Sequence, residues 1–210
     1  LQPNYDLCLI SENLPSSSDE FKKERFEALE KLAKNVEKLS IKYKLKTVLA
    51  LKRFKNHELY QSEINFYKKV LNKNTPIIIK DRVNEFTSYE LAYNSRLTIG
   101  CRSTLLVEIF AKGGRALSCN YIEGQQASKK FDTFDQTFLP NLPEQINYNN
   151  FFYIKDSTYN AFEKRVLFLL DINQQYFDKY TNRIRNYMIS YDKKYSAEEK
   201  IKNKINQLLE

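Results

Sequence analysis

Apolar residues fall along this chain in short continuous runs, and between the runs they recur every three or four positions. The first run, Tyr5-Asp6-Leu7-Cys8-Leu9-Ile10, closes in Ser11-Glu12-Asn13-Leu14-Pro15 and three serines, which predicts a strand over 5–10 and a polar turn. Beyond it Ser18 or Asp19 can cap a helix on which Phe26, Leu29, Ala33, Val36 and Leu39 share one face, so a long amphipathic helix is expected to about Tyr43. The theme repeats with a strand over 47–51 running into Lys52-Arg53, then a helix over 62–72 with Ile64, Tyr67, Val70 and Leu71 on its apolar side. Ile77-Ile78-Ile79 lacks alternation, which predicts a strand buried on both faces and ending at Lys80-Asp81-Arg82. Thr87 or Ser88 caps a short helix through Asn94, and a strand over 97–100 reaches Gly100. A helix over 104–112 stops at Gly113-Gly114, where a helix C-terminus favours glycine, and a strand over 116–119 follows. Residues 123–150 read as a long loop and 151–154 as a sixth strand. The tail over 157–210 is helical by pattern, with Phe162, Val166, Leu169 and Leu170 on one apolar face and Ile201, Ile205, Leu208 and Leu209 on another.

Continuous apolar strands, each followed by a helix, are the pattern of a parallel sheet covered on both sides. The expected fold is α/β, a doubly wound parallel sheet over 1–156 with a helical C-terminal extension over 157–210. At 210 residues, 42% hydrophobic and 29% charged with 4 Gly and 5 Pro, the chain can bury a full core and has no low-complexity or collagen-like bias. No stretch approaches the roughly 18 uninterrupted apolar residues of a membrane span, and the start at Leu1 has no signal-peptide order. Cys8, Cys101 and Cys119 each sit in or beside an apolar run, too far apart for a disulfide framework or a zinc knuckle. They are expected to be buried, reduced and inert, which points to a cytoplasmic compartment.

Charge changes the picture in one region. Residues 21–55 hold 12 Lys/Arg against 4 Glu, which accounts for the whole net charge of +8. Such a segment is either a solvated lysine-rich helix or a surface for an anionic partner, including a peripheral contact with the inner face of a membrane. Single-stranded nucleic acid would need aromatics interleaved with those cations, and the 15 Tyr and 14 Phe are placed for core and tail packing instead, so no nucleic acid is expected.

Candidate chemistry gathers where the glycines are, all four lying within 100–124. Gly100-Cys101-Arg102-Ser103-Thr104 closes a strand and opens a helix, at the carboxyl edge where doubly wound sheets bind ligands. The helix N-terminus there offers N–H groups and the positive end of a dipole to an anion, and Ser103, Thr104 and Arg102 add donors and charge. The same pattern also serves as an ordinary glycine turn with a hydroxyl cap. Lys52 and Arg53, with Lys80 and Arg82, end two other strands on the same rim. Glu108, one turn after Thr104, is placed to hold a ribose diol or to be a solvated helix residue. There is no dinucleotide glycine fingerprint, no P-loop, no nucleophile elbow and no His/Cys cluster for a metal, so neither cofactor nor metal is expected. His57, the only histidine, lies among Lys, Asn and Glu and is expected to be exposed.

The stretch from Ser95 to Leu117, SRLTIGCRSTLLVEIFAKGGRAL, resembles the nucleotide-binding half of GT-B fold glycosyltransferases, especially bacterial enzymes of surface-polysaccharide biosynthesis. The resemblance implies a Rossmann-like domain in which Gly100, Ser103 and Thr104 meet the donor phosphates and Glu108 holds the ribose. It also implies that Lys52 and Arg53 neutralise the leaving group. The implied substrate is a UDP-, GDP- or CMP-linked sugar, with a glycan or lipid-linked acceptor. Retention or inversion stays open, as does the catalytic residue. Such enzymes have two Rossmann-like halves, so the resemblance also implies a missing N-terminal domain and no transfer by this half alone. The alternative is a non-enzymatic α/β module that binds an anionic partner through its basic helix.

Overall fold

The computed structural model describes residues 3–12, 22–101, 103–121 and 149–188, with isolated positions at 199, 202, 205 and 207. The elements alternate along most of the chain as β1 (Tyr5–Ile10), α1 (Lys22–Tyr43), β2 (Thr47–Phe54), α2 (Tyr60–Val70), β3 (Ile78–Arg82) and α3 (Thr87–Tyr93). They continue as β4 (Ser95–Gly100), α4 (Thr104–Ala111), β5 (Ala116–Cys119), α5 (Asn149–Phe152), β6 (Tyr153–Ile154), α6 (Tyr159–Asp171) and α7 (Gln174–Met188). All pairings are parallel, in the order β3-β2-β1-β4-β5-β6. The chain therefore steps one way from β1 to β3 and the other way from β4 to β6. Between β1 and β4 the direction of winding reverses, and the carboxyl ends of the two strands leave a crevice. This is the doubly wound sheet that the alternation predicts.

The sheet is greasy where it is covered. Leu7, Cys8, Val48, Leu49, Leu97, Ile99, Ala116 and Leu117 have no exposed surface. α1 lies beside α2 and α6, and α4 lies beside α3 and α7. The apolar stripe of α1 is buried as its spacing predicts, from Leu29 through Ala33 and Val36 to Leu39. At its far end Ser40 Oγ and Thr47 Oγ1, 2.7 Å apart, satisfy each other inside the core. Among the described residues, no helix is long and apolar enough to cross a membrane.

Several boundaries differ from the sequence pattern for identifiable reasons. β3 is not buried on both faces: it is an edge strand, and Ile78 is 40% exposed although Ile77 before it is buried. β2 runs three residues further than its apolar core, so Lys52 and Arg53 lie inside the strand and not after it. Phe151 and Phe152 are helical, leaving only Tyr153 and Ile154 as strand. Both rings are buried, Phe152 packing 4.9 Å from Phe110, and an apolar pair serves a core from either conformation. The stop at the glycines is a left-handed C-terminal turn. Gly113 has φ of +93°, its N–H reaches Phe110 O and that of Gly114 reaches Ile109 O.

The helical extension is part of the same core. Phe162, Val166 and Leu169 of α6 and Phe177 of α7 are wholly buried. Two arginines from the amino edge of the sheet hold the turn between these helices. Arg115 donates to the carbonyls of Leu169, Leu170 and Ile172 at 3.0, 3.1 and 2.7 Å, and Arg96 to that of Leu170 at 3.1 Å. The proposed cap at Ser18 or Asp19, nearly all of the loop over 123–150, and Ile201, Leu208 and Leu209 lie outside the described residues. Ile205 is exposed.

Candidate functional site at the strand carboxyl ends

Parallel pairing brings the carboxyl ends of β1, β2, β4 and β5 to one rim. At its centre β4 ends in Gly100, where an added Cβ would meet Leu106 Cδ1 at 3.2 Å and Ile10 Cβ and Glu12 Oε1 at 3.5 Å. The tight contact is with Leu106, so glycine lets α4 pack closely on that strand end. The Glu12 carboxylate accepts the Cys101 N–H at 2.7 Å, joining the chain after β1 to the turn before α4 across the crevice. Ser103 is the N-cap of α4, half-buried and with no side-chain cap bond, and Thr104 behind it is exposed. Both hydroxyls are thus available at a helix N-terminus, the arrangement that binds anions. Arg102 lies outside the described residues.

The cations are sorted by how β2 ends. The β2–β3 register runs from Ala50 opposite Lys80 to Phe54 opposite Arg82, so β2 carries extra residues in a bulge. A bulge frees backbone N–H groups, and the buried carboxylate of Glu63 on α2 takes them. Its oxygens accept from Lys52 N at 2.9 Å and Arg53 N at 3.0 Å, and also from the Ser11 hydroxyl. Lys52 is half-buried by this arrangement. Burial lowers its pKa first, and the charge of Glu12 partly restores it. Arg53 turns to His57, its Nη1 lying 3.1 Å from the ring Nε2. His57 is therefore half-buried and held in a turn, accepting the Leu59 N–H at 3.1 Å, not exposed as its polar neighbours imply. Lys80 is exposed on the edge strand. Arg82 is committed elsewhere: it donates to the carbonyls of Lys52, Asn84 and Glu85 and lies over the Phe54 ring.

Glu108 sits one turn down α4, half-buried, accepting a hydrogen bond from the Tyr89 hydroxyl of α3 at 2.8 Å. That bond pushes the Tyr89 phenol up to about 12. A carboxylate fixed in this way is oriented, not freely solvated.

Glu12, Glu63, Tyr89 and Asn120 are the rim residues that the sequence pattern does not single out. Glu63 had a visible signal, since it precedes Ile64 and lies four residues before Tyr67, within the apolar stripe of α2. At the end of β5, Asn120 Nδ2 donates to the Tyr153 hydroxyl at 2.8 Å, while Asn120 Oδ1 is buried without a hydrogen-bond partner among the described residues. The three cysteines are free and buried, and burial pushes the Cys8 thiol up to about 12 and that of Cys119 higher still. Among the described residues no group of three or more His, Cys, Asp or Glu is placed to hold a metal.

The basic helix is largely engaged within the molecule. Lys34 pairs with Glu30 and Lys42 with Glu163, and Lys38 lies 4.0 Å from the centre of the Tyr159 ring.

Strand order, all-parallel pairing and the crevice between β1 and β4 define a Rossmann-like α/β domain. Compared with known families the sequence matches no family model, and no curated protein matches it. Its fold is similar to that of the UDP-GlcNAc 2-epimerase of Methanocaldococcus jannaschii, solved in complex with UDP-GlcNAc and UDP. The two share 13% identity with a TM-score of 0.50, over 81% of this chain and 39% of that chain. This chain thus spans well under half of the solved relative, and the likeness concerns the fold.

Proposed function

We infer that this chain is a nucleotide-sugar-binding lobe, the donor half of a glycosyltransferase of the GT-B type serving surface-polysaccharide biosynthesis. The observation that carries the reading is the β1/β4 crevice, into which β4 delivers a glycine, two hydroxyls and the N-terminus of α4. The similar epimerase was solved with a nucleotide sugar and a nucleotide, which supports the same ligand class here. Diphosphate oxygens are placed over the amides of Ser103, Thr104 and Leu105, with the Lys52 ammonium as counter-charge. The oriented Glu108 carboxylate accepts from the ribose hydroxyls one turn away, far enough for its charge to meet donors and not phosphate. Acceptor, leaving-group chemistry and the catalytic base belong to a second lobe that closes over this rim. The paired lysines of α1 give the anionic-partner alternative no comparable support.

Calorimetry with UDP, GDP, CMP and their sugars tests the reading. One of the three nucleotides is expected to bind. Glu108→Ala is expected to weaken it about ten- to a hundredfold, the value of one or more charge-assisted hydrogen bonds. The 2′,3′-dideoxy analogue should show the same loss against the wild type. Absence of binding by every nucleotide, or equal binding of analogue and parent, would overturn the assignment.

A further inference from the structure

At the opposite end of the strands the sheet has a second opening. A cavity of about 550 Å³ lies at the amino edge, and its lining includes Arg96 near the start of β4, Gly113, Gly114 and Arg115 between α4 and β5, and Gln174 at the start of α7. The length of β4 separates it from the crevice, roughly 16 Å for the five rises from Ser95 to Gly100. Gly113 gives the cavity a wall without a side chain, and the Arg185 guanidinium of α7 comes up against it, its Nη1 lying 2.5 Å from where a Cβ would stand. Arg115 and Arg185 both lie 5.9 Å from the centre of the Phe177 ring. Three guanidinium groups thus gather at this cavity and its glycine wall.

Their charges are not fully matched. Asp6 pairs with Arg96 at 2.9 Å and Asp178 with Arg185 at 2.8 Å. Arg115 has no carboxylate in hydrogen-bond contact among the described residues, and its bonds go to the neutral oxygens of Leu169, Leu170, Ile172 and Gln174. Burial lowers its pKa first and the charge of Arg96 lowers it further, with Asp178 opposing both, so the two guanidinium groups repel each other across the cavity wall. Arg96 uses two of its five N–H donors, on Asp6 and on the Leu170 carbonyl, and its side chain is 41% exposed. Arg185 is buried, and its Nε has no hydrogen-bond partner among the described residues. An anion entering the cavity therefore meets open donors and a positive charge that the neighbouring carboxylates do not cancel. A planar carboxylate matches one guanidinium fork, whereas a phosphate monoester presents three oxygens in a tetrahedral array and accepts from two forks at once. The volume is that of a small-molecule site, which leaves room for an organic body beside the phosphate.

We propose that this cavity is a second ligand site, at which Arg96 and Arg115 bind the phosphate group of a small phosphate monoester. It does not depend on the nucleotide-sugar reading, because it opens at the other edge of the sheet. Calorimetry on the whole chain at fixed ionic strength tests it, with glucose 1-phosphate, inorganic phosphate and succinate as probes. Glucose 1-phosphate is expected to bind saturably and at least about tenfold more tightly than succinate. Inorganic phosphate is expected to compete with it, and added UDP is expected not to. Arg96→Gln, which removes the guanidinium with the most open donors, is expected to weaken glucose 1-phosphate about tenfold or more. Gln174→Glu, which sets a carboxylate at an exposed position of the cavity lining, is expected to do the same and serves if Arg96→Gln does not fold. No saturable binding of glucose 1-phosphate, equal binding of succinate, no competition by phosphate, or displacement by UDP overturns the site. So does an affinity within about twofold of wild type in the folded variants. A wild type that binds glucose 1-phosphate but no UDP, GDP or CMP supports this site and overturns the reading above.

Discussion

Single side chains at this rim do structural work that their residue types do not advertise. Glu63 is a carboxylate 2% exposed, yet it is well paired, because the β2 bulge presents two backbone N–H groups and Ser11, just after β1, presents a hydroxyl to it. Removing it strands those donors in a half-dry setting. Glu63→Ala is expected to cost about 3 kcal/mol or more, and Glu63→Gln, which keeps an acceptor, distinctly less. Urea denaturation of the two variants measures the difference, and equal loss would mean that burial, not hydrogen bonding, holds the bulge. Gly113 makes a similar point about the backbone. An alanine Cβ there would lie 2.5 Å from Arg185 Nη1, but that tip can move, whereas the positive φ would strain any residue with a side chain.

At the scale of elements, the turn between α6 and α7 is tied to the sheet by arginines from β4 and from the entry to β5. Helix C-termini leave carbonyls without partners, and the Arg115 guanidinium fills three of these from one planar fork. Arg115→Ala is expected to destabilise the chain by about 2–4 kcal/mol. Arg115→Lys should recover little, since an ammonium group does not reproduce the fork. Full recovery by lysine in an unfolding experiment would show charge near the helix end to be the active ingredient.

Across the whole molecule, burial stores protons that the unfolded chain would release at alkaline pH. Cys8 is pushed up to about 12, and Tyr67, Cys119 and Tyr121 are pushed beyond that range, in each case chiefly by burial. Unfolded thiols and phenols ionise near about 8.5 and 10, so between those values and the folded ones the unfolded state binds fewer protons. The stabilisation is complete below about pH 8.5 and is lost as pH rises towards the folded values. Urea midpoints at pH 7.5, 9 and 10.5 are expected to fall in that order, with Cys8 alone contributing roughly 2 kcal/mol of the loss by pH 10.5. Unchanged midpoints would mean that these groups ionise without opening the core.

Local burial pattern determined which segments became strands and helices, where the carboxyl rim had its glycine, and how α4 stopped, because period and turn chemistry are carried by neighbouring residues. Even there, the edge position of β3 was invisible, since Ile77-Ile78-Ile79 reads the same whether one or two strands flank it. Only the tertiary structure decided that β1 and β4 are neighbours. That adjacency brings Glu12 to Cys101 across 89 positions of sequence and turns two unremarkable strand ends into a crevice. The positions of Glu63, Tyr89 and Asn120 were settled in the same way. A polar side chain acquires its partner from whichever element packs against it, and that follows from strand order and crossover, which no local period encodes.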